Sequence, residues 1–184
     1  IYIHIPFCKN KCIYCDYYSL EKREDDKQNF INMLIHEISL TAEEHDKDWE
    51  FDTVYLGGGS PALLSPVDIN KILIKLRYHY NFSDNIEITL EINPGELNKE
   101  VLYLFKEVGV NRLSIGFQSL NPKLLNTLSR THNPNDCFTM YRNARDAGFD
   151  NISIDMLYNI PGQSVGCWLN NLKKVTDMKP EHIA

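Results

Sequence analysis

The sequence has no long apolar segment and no excess of positive charge. No apolar run approaches the roughly 20 residues needed to cross a bilayer, so we expect no membrane span. The 25 aspartates and glutamates outnumber the 19 lysines and arginines, giving a net charge of −6. This balance argues against nucleic acid as a partner, because phosphate contacts need a basic surface. No signal or transit segment is visible, so we expect a cytoplasmic protein.

A Walker-type phosphate loop is also absent. The segment at residues 57–61 reads Gly-Gly-Gly-Ser-Pro, and no lysine follows it. Glycines at the end of a strand still allow close approach of the backbone, and their N–H groups can bind a carboxylate or a phosphate. We therefore expect this segment to take part in binding a small molecule.

Cysteine is scarce, yet three of the five cysteines lie in one short loop. Cys8, Cys12 and Cys15 have the spacing C-x3-C-x2-C, directly after an apolar, strand-like start. Most iron–sulfur clusters take four thiolates, so three suit a [4Fe–4S] cluster that leaves one iron open to a small molecule. The alternative is a four-coordinate zinc site with His4 or Asp16 as the fourth ligand. A disulfide is disfavoured, since such closely spaced cysteines without a signal peptide are typical of metal binding or catalysis.

The other two cysteines, Cys137 and Cys167, lie in helix-like segments far from this loop. We expect them to be buried structural thiols, because free cysteine is among the most buried residue types. We expect His4 to be a strand histidine whose hydrogen bonds are satisfied within the chain, with a fourth metal ligand or a substrate contact as the alternatives.

Apolar residues alternate between strand and helix spacing along the whole chain. The 3.6-residue period predicts helices near residues 27–42, 69–76, 101–108, 134–147 and 164–177, with Asn98 as an N-cap. Strands are predicted near residues 1–5, 52–57, 86–92, 112–117 and 151–157, with another beginning at 182. Five strand–helix units followed by a sixth strand indicate a parallel sheet or barrel.

Three of the predicted strands alternate between apolar and polar residues. Parallel strands covered on both faces usually read as continuous apolar runs, so a polar second face suggests a barrel with a hydrated or ligand-filled lumen. Glu91, Gln118 and Asp155 lie on the polar face near strand ends, where barrel enzymes place their functional groups. The cysteine loop follows the first strand, so we expect it to open at the same rim.

These motifs together resemble the radical S-adenosylmethionine (SAM) superfamily. The branch that fits contains the oxygen-independent coproporphyrinogen III oxidase and a related haem chaperone. The resemblance implies an α/β fold, the radical SAM core, which is an incomplete (β/α)6 TIM-like barrel of parallel strands. It also implies that residues 1–184 form one core domain of a longer protein whose C-terminal domain is absent. The matching segments are Tyr2–Cys8, Cys12–Cys15, Gly57–Pro61, Glu91–Pro94, Arg112–Gln118 and Ser153–Tyr158.

The resemblance also assigns cofactors and their ligands. Cys8, Cys12 and Cys15 would hold a [4Fe–4S] cluster whose open iron binds SAM, and the cofactors would supply the radical chemistry. It assigns no catalytic residue. The residues implied in SAM binding are Tyr2, Tyr14, Gly58, Gly59, Ser60, Glu91, Gln118, Arg130 and Asp155.

One position separates the two members of this branch. The oxidase has an extra cysteine two residues after the third, where this chain has Tyr17. The resemblance therefore favours the chaperone that delivers haem. The alternative is the oxidase, an oxidoreductase that decarboxylates coproporphyrinogen III. A third hypothesis, from a different functional class, is a zinc-stabilised interaction domain. The expected partners are haem or a porphyrinogen, and an electron donor such as flavodoxin or ferredoxin.

Overall fold

The computed structural model describes residues 1–44 and 48–184 of the chain. These residues form eight strands and six α-helices, in an order close to that predicted from the sequence. In chain order they are β1 (Tyr2–Ile5), β2 (Phe7–Cys8), β3 (Leu20–Glu21), α1 (Lys27–Thr41), β4 (Glu50–Gly58), α2 (Pro66–His79), β5 (Asn81–Ile92), α3 (Lys99–Glu107), β6 (Arg112–Gln118), α4 (Pro122–Thr127), α5 (Pro134–Asp146), β7 (Asn151–Met156), α6 (Val165–Asp177) and β8 (His182–Ile183).

Six strands form one parallel sheet in the order β1-β4-β5-β6-β7-β8, and helices connect them along the chain. Because β1 and β8 stand at its two edges in the part of the chain that the structure describes, the sheet is an open, partial barrel. The predicted α/β fold with an incomplete barrel of parallel strands is confirmed. The structure adds the two-stranded sheet β2-β3 and the short helix α4, which the sequence patterns did not predict.

The apolar face of the sheet forms the core. On β5, Ile88, Leu90 and Ile92 are buried against the helices, as their alternation predicted. Each fully buried side chain of this size contributes about 1.5–3 kcal/mol relative to an exposed one. Helix α2 begins with Ser65, whose hydroxyl accepts from the Asp68 backbone N–H, and its apolar stripe is completely buried. Burial on one face leaves the opposite, polar face of the strands to line the lumen.

Polar side chains cap the starts of α3 and α5. Asn98 accepts from the Val101 backbone N–H at the start of α3, which confirms it as the N-cap. Asn133 and Asp136 form a reciprocal capping box at the start of α5. No helix in residues 1–44 and 48–184 combines the length and apolarity that crossing a membrane requires.

Candidate functional site

The small sheet β2-β3 holds the two ends of the cysteine loop together. Strands β2 and β3 pair in parallel, with Phe7 opposite Leu20 and Cys8 opposite Glu21. The backbone N–H of Leu20 also donates to the Pro6 carbonyl at 2.6 Å. The loop between them therefore starts and finishes at one point of the barrel rim, directly after β1.

A cavity of about 260 Å³ opens beside this loop. Cys8 and Cys12 line it, together with Ser60 from the glycine-rich turn and Arg130 from the loop between α4 and α5. Asn93 and Glu96, which follow β5, line it as well. Two thiols, a cation and a set of amide and carboxyl groups thus face one space.

Arg130 spans the distance between the sheet and the cysteine loop. Its guanidinium donates to the Gly116 carbonyl at 2.8 Å and to Asn93 Oδ1 at 2.5 Å. The same group lies 3.7 Å from Cys12 Sγ. Its Nε is buried and finds no hydrogen-bond partner in residues 1–44 and 48–184. An unused donor on a half-buried cation is suited to an anionic ligand.

Ser60, Asn93 and Glu96 form a compact hydrogen-bonded group on the cavity wall. The Glu96 carboxylate accepts from the Ser60 hydroxyl at 2.7 Å and from the Asn93 backbone at 2.9 Å. The Asn93 side chain donates to both partners. The sequence patterns did not identify Asn93 or Glu96 as site residues. Asn93 directly follows β5 and continues its polar alternation, so strand alternation could have identified it, whereas Glu96 depends on the turn at Pro94–Gly95.

Gln118 ends β6 in a left-handed conformation, with φ at 63°. This is uncommon for a residue other than glycine and marks a local constraint at the strand end. The missing side chain of Gly116 leaves room for its amide: a Cβ there would lie 2.9 Å from Gln118 Nε2 and 3.3 Å from the Arg130 guanidinium. The fold therefore brings Gln118, at the end of β6, and Arg130, in the loop between α4 and α5, to the same side of β6.

Glu91 on β5 projects into the lumen and is held by two donors. The Tyr55 hydroxyl donates to its Oε1 at 2.8 Å, and the Gly58 N–H donates to its Oε2 at 3.1 Å. Burial raises the pKa of Glu91 above its ordinary value, and the charge of Asp155 raises it further, while the two hydrogen bonds lower it. Burial and the neighbouring Glu91 charge raise the pKa of Tyr55, which stays a neutral donor.

Asp155 on β7 is the second lumen carboxylate. The Ser114 hydroxyl lies 2.9 Å from both of its oxygens, and Ser153 donates to Oδ1 at 3.3 Å. Ser153 in turn lies 3.0 Å from the His182 ring on β8. Neither Glu91 nor Asp155 has a salt-bridge partner in the part of the chain that the structure describes, so the lumen offers two acceptors to a cationic ligand.

The remaining predicted residues divide between the lumen and the loop. Tyr2 stands beside Tyr55, with ring centroids 6.1 Å apart, and thus borders the Glu91 site. Tyr14 lies near Cys12 and Arg130, and burial of its hydroxyl end raises its pKa to about 12 although a third of the side chain is exposed. Cys15 lies apart from the cavity, in a shallow depression with Tyr14 and Tyr17.

The residues outside the site follow the predictions with one exception. His4 bonds to the Tyr2 hydroxyl at 3.0 Å and the Tyr18 carbonyl at 2.8 Å, so it is a strand histidine with both ring nitrogens engaged. Cys137 is fully buried, as predicted. The prediction for Cys167 was wrong: its thiol is only half-buried and accepts from the side chain of Asn121, because it lies near the exposed start of α6.

The donor set fits an iron–sulfur cluster. In the described ranges no three His, Cys, Asp or Glu side chains converge on a point where one metal ion could bind. A [4Fe–4S] cluster does not need such convergence, since each thiolate binds a different iron. Three thiols on one loop would supply the ligands, and the Arg130 guanidinium beside Cys12 would offset the negative charge of a thiolate-bound cluster.

Comparisons with known proteins agree with this geometry. The chain is 35% identical over 182 residues to the heme chaperone HemW of Bacillus subtilis and 30% identical over 189 residues to the oxygen-independent coproporphyrinogen III oxidase of Salmonella typhimurium. These alignments cover 98% and 100% of this chain. The coproporphyrinogen III oxidase HemN of Escherichia coli has a similar structure, with a TM-score of 0.88 and 28% identity over 99% of this chain and 43% of that one.

The chain spans about half the length of the curated relatives it matches, 48% of the chaperone and 40% of the oxidase. An archaeal Elp3 from Methanocaldococcus infernus shares the fold alone, with a TM-score of 0.61 and 16% identity over 86% of this chain and 42% of that one. The family model described as the radical SAM superfamily matches residues 2–175, almost the entire sequence. The chain therefore belongs to the radical SAM superfamily.

Proposed function

We propose that this chain binds a [4Fe–4S] cluster through Cys8, Cys12 and Cys15 and binds SAM in the adjoining lumen. The observation that carries the proposal is the cavity in which Cys8 and Cys12 face Ser60 and Arg130. The loop, the glycine-rich turn and the end of β6 all meet the same rim, so one small molecule could touch all three. Residues 1–184 would then be the core domain of a longer protein.

The protein side chains divide the recognition of SAM by charge. The Arg130 guanidinium has a donor left for the SAM carboxylate or for a sulfur of the cluster. Glu91 and Asp155 provide acceptors for the positively charged part of the molecule. When bound and reduced, the cluster and SAM supply radical chemistry, while these residues orient the cofactor and balance its charges.

Replacing Glu91 with glutamine should weaken SAM binding roughly ten- to hundredfold. Glutamine keeps the size of the side chain but removes the charge that attracts the SAM ammonium group. Charge-assisted hydrogen bonds contribute about 1.5–3 kcal/mol, and 1.4 kcal/mol is a factor of ten in affinity. Calorimetric titration of the reconstituted protein with SAM measures the effect, and iron content and melting temperature should stay nearly constant.

Glu107→Gln provides the matched control. Glu107 is exposed at the end of α3, remote from the lumen, so removing its charge should leave the affinity for SAM unchanged. If Glu91→Gln binds SAM as tightly as the parent protein does, Glu91 does not contact the ligand and this assignment is wrong.

We further propose that the whole protein serves the haem pathway as a haem chaperone in the cytoplasm. Tyr17 occupies the position at which the oxidase has its extra cysteine, and its side chain is exposed on the cysteine loop. A phenol cannot form a disulfide and ionises less readily than a thiol, so Tyr17 does not reproduce the chemistry of a cysteine. The higher identity to HemW than to the oxidase points the same way. Coproporphyrinogen III decarboxylation is the second candidate, favoured by the structural similarity to HemN.

A turnover assay on the full-length protein distinguishes the two. The reconstituted protein receives SAM, a strong reductant and coproporphyrinogen III, and a parallel sample receives haem. We expect haem binding with the cluster retained and no protoporphyrinogen. Multiple turnovers would support the oxidase as the function of this protein and contradict the chaperone proposal. A flavodoxin or ferredoxin, the proposed physiological donor, should reduce the cluster in place of the chemical reductant.

A further inference from the structure

The Glu91 carboxylate is oriented by a tyrosine that the family motifs in this sequence do not include. Tyr55 lies on β4, in register with Thr89 on β5, two residues from Glu91. Its hydroxyl donates to Oε1, while the Gly58 N–H donates to Oε2. Each carboxylate oxygen therefore has one donor from the residues that the structure describes, which restricts the plane of the group and leaves lone pairs available to a ligand.

Packing holds the tyrosine ring in this position. Tyr55 pairs with Tyr2 across β1 and β4, and the two rings are stacked with an interplanar angle of 29°. Gly57 provides the space: a Cβ at this residue would lie 2.9 Å from the Tyr55 ring, 3.0 Å from the Tyr2 ring and 3.1 Å from Glu91 Cδ. Any side chain at Gly57 would push the phenol and the carboxylate apart.

The hydrogen bond from Tyr55 affects the ionisation of Glu91, because burial and nearby charges act on the same carboxylate. Burial disfavours the ionised carboxylate most, and Asp155, from β7, also repels it. His4, from β1, and the donors at Tyr55 and Gly58 favour it. Without the Tyr55 hydroxyl the balance moves toward the protonated acid, which cannot attract a cation.

We propose that Tyr55 is a positioning residue for the SAM site: its hydroxyl holds the Glu91 carboxylate in place and turned toward the ligand. The inference rests on the proposed role of Glu91 in binding SAM and extends it to a residue that does not itself touch the ligand. A residue of this kind acts through its partner, so its removal should change how SAM binding depends on pH.

The test measures SAM affinity of the reconstituted protein across pH 5–8 for the parent protein and for Tyr55→Phe. The variant removes one oxygen and keeps the stacked ring. In both proteins the affinity should fall as pH drops through the pKa of Glu91. Loss of the hydrogen bond to the carboxylate raises the pKa of Glu91, so the variant should bind SAM up to about tenfold more weakly than the parent protein at the acidic end of this range. It should also move the midpoint of the pH dependence upward by about one unit.

Two variants make the outcome decisive. Tyr103→Phe removes an exposed hydroxyl on α3 and should leave both affinity and midpoint unchanged. Gly57→Ala retains the Tyr55 hydroxyl but displaces it, so it should shift the midpoint in the same direction and provides an independent reading if Tyr55→Phe does not fold. A parent-like midpoint in a folded Tyr55→Phe or Gly57→Ala variant would overturn the inference. If Glu91→Gln also binds SAM normally, it is the proposed function that fails.

Discussion

Replacing Cys8, Cys12 or Cys15 with alanine should abolish iron binding. The parent protein, purified without oxygen and reconstituted, should be brown and contain about four irons per chain, as a three-thiolate [4Fe–4S] cluster requires. Each substitution leaves two thiolates on the loop, and the other two cysteines lie outside it, on α5 and α6. Iron analysis and the visible absorption of the cluster measure the loss.

The other two cysteines are the controls for this prediction. Cys137 is fully buried in α5, and burial raises the pKa of its thiol to about 12, which disfavours the thiolate that binds a metal. Cys167 is half-buried on α6 and contacts Asn121. Cys137→Ala and Cys167→Ala should keep the colour. Stoichiometric zinc without iron uptake in the parent protein would contradict the cluster and support the zinc-stabilised domain.

The sequence was sufficient to predict six of the eight strands and five of the six α-helices that the structure describes, and much of the rim. Alternation along β5, β6 and β7 put Glu91, Gln118 and Asp155 on one face, and parallel strands bring their ends to one edge. The structure has that arrangement, and Glu91 lies near enough to Asp155 for their charges to interact. Regular periodicity was informative here because each of these residues lies within a strand or at its end.

The contacts of Arg130 could not be predicted from local sequence. The residue lies in an irregular loop, 118 positions from Cys12, and an arginine in such a loop is usually solvated. Only the family resemblance assigned it to the site. Glu96 was missed for a related reason, since its carboxylate turns back to the Asn93 backbone through a local bend.

The polarity pattern of the sequence alone could not identify Tyr55 as a site residue. It lies two residues before Gly57 on β4, and the same alternation puts it on the lumen face. Because an aromatic residue fits the core as well as a lumen, its pattern did not mark it as functional. Its hydroxyl became informative only once the neighbouring strand showed Glu91 as its acceptor. The role of a mixed apolar and polar side chain depends on its neighbours across the sheet.

Replacing Gly59 with alanine should destabilise the protein and remove most of its iron. The Gly59 N–H donates to the Ile5 carbonyl at 2.8 Å, which ties the glycine-rich turn to the end of β1. An added Cβ would lie 2.5 Å from the Phe7 carbonyl oxygen and 3.0 Å from Cys8 Sγ. The Phe7 oxygen belongs to the backbone and cannot rotate away, so the segment that carries Cys8 must move.

Overpacking of this kind costs about 1–3 kcal/mol, which lowers the melting temperature of a domain this size by about 2–4 °C per kcal/mol. Gly166→Ala is the matched control, because in the described part of the chain nothing beyond its own helix and neighbouring residues lies within 4 Å of a Cβ at that position in α6. Alanine also favours a helix by about 0.5–1 kcal/mol over glycine. Thermal unfolding of the metal-free proteins and iron content after reconstitution separate the two variants. A Gly59→Ala protein with parental stability and a full complement of iron would show that the Cys8 segment moves without loss of the metal site.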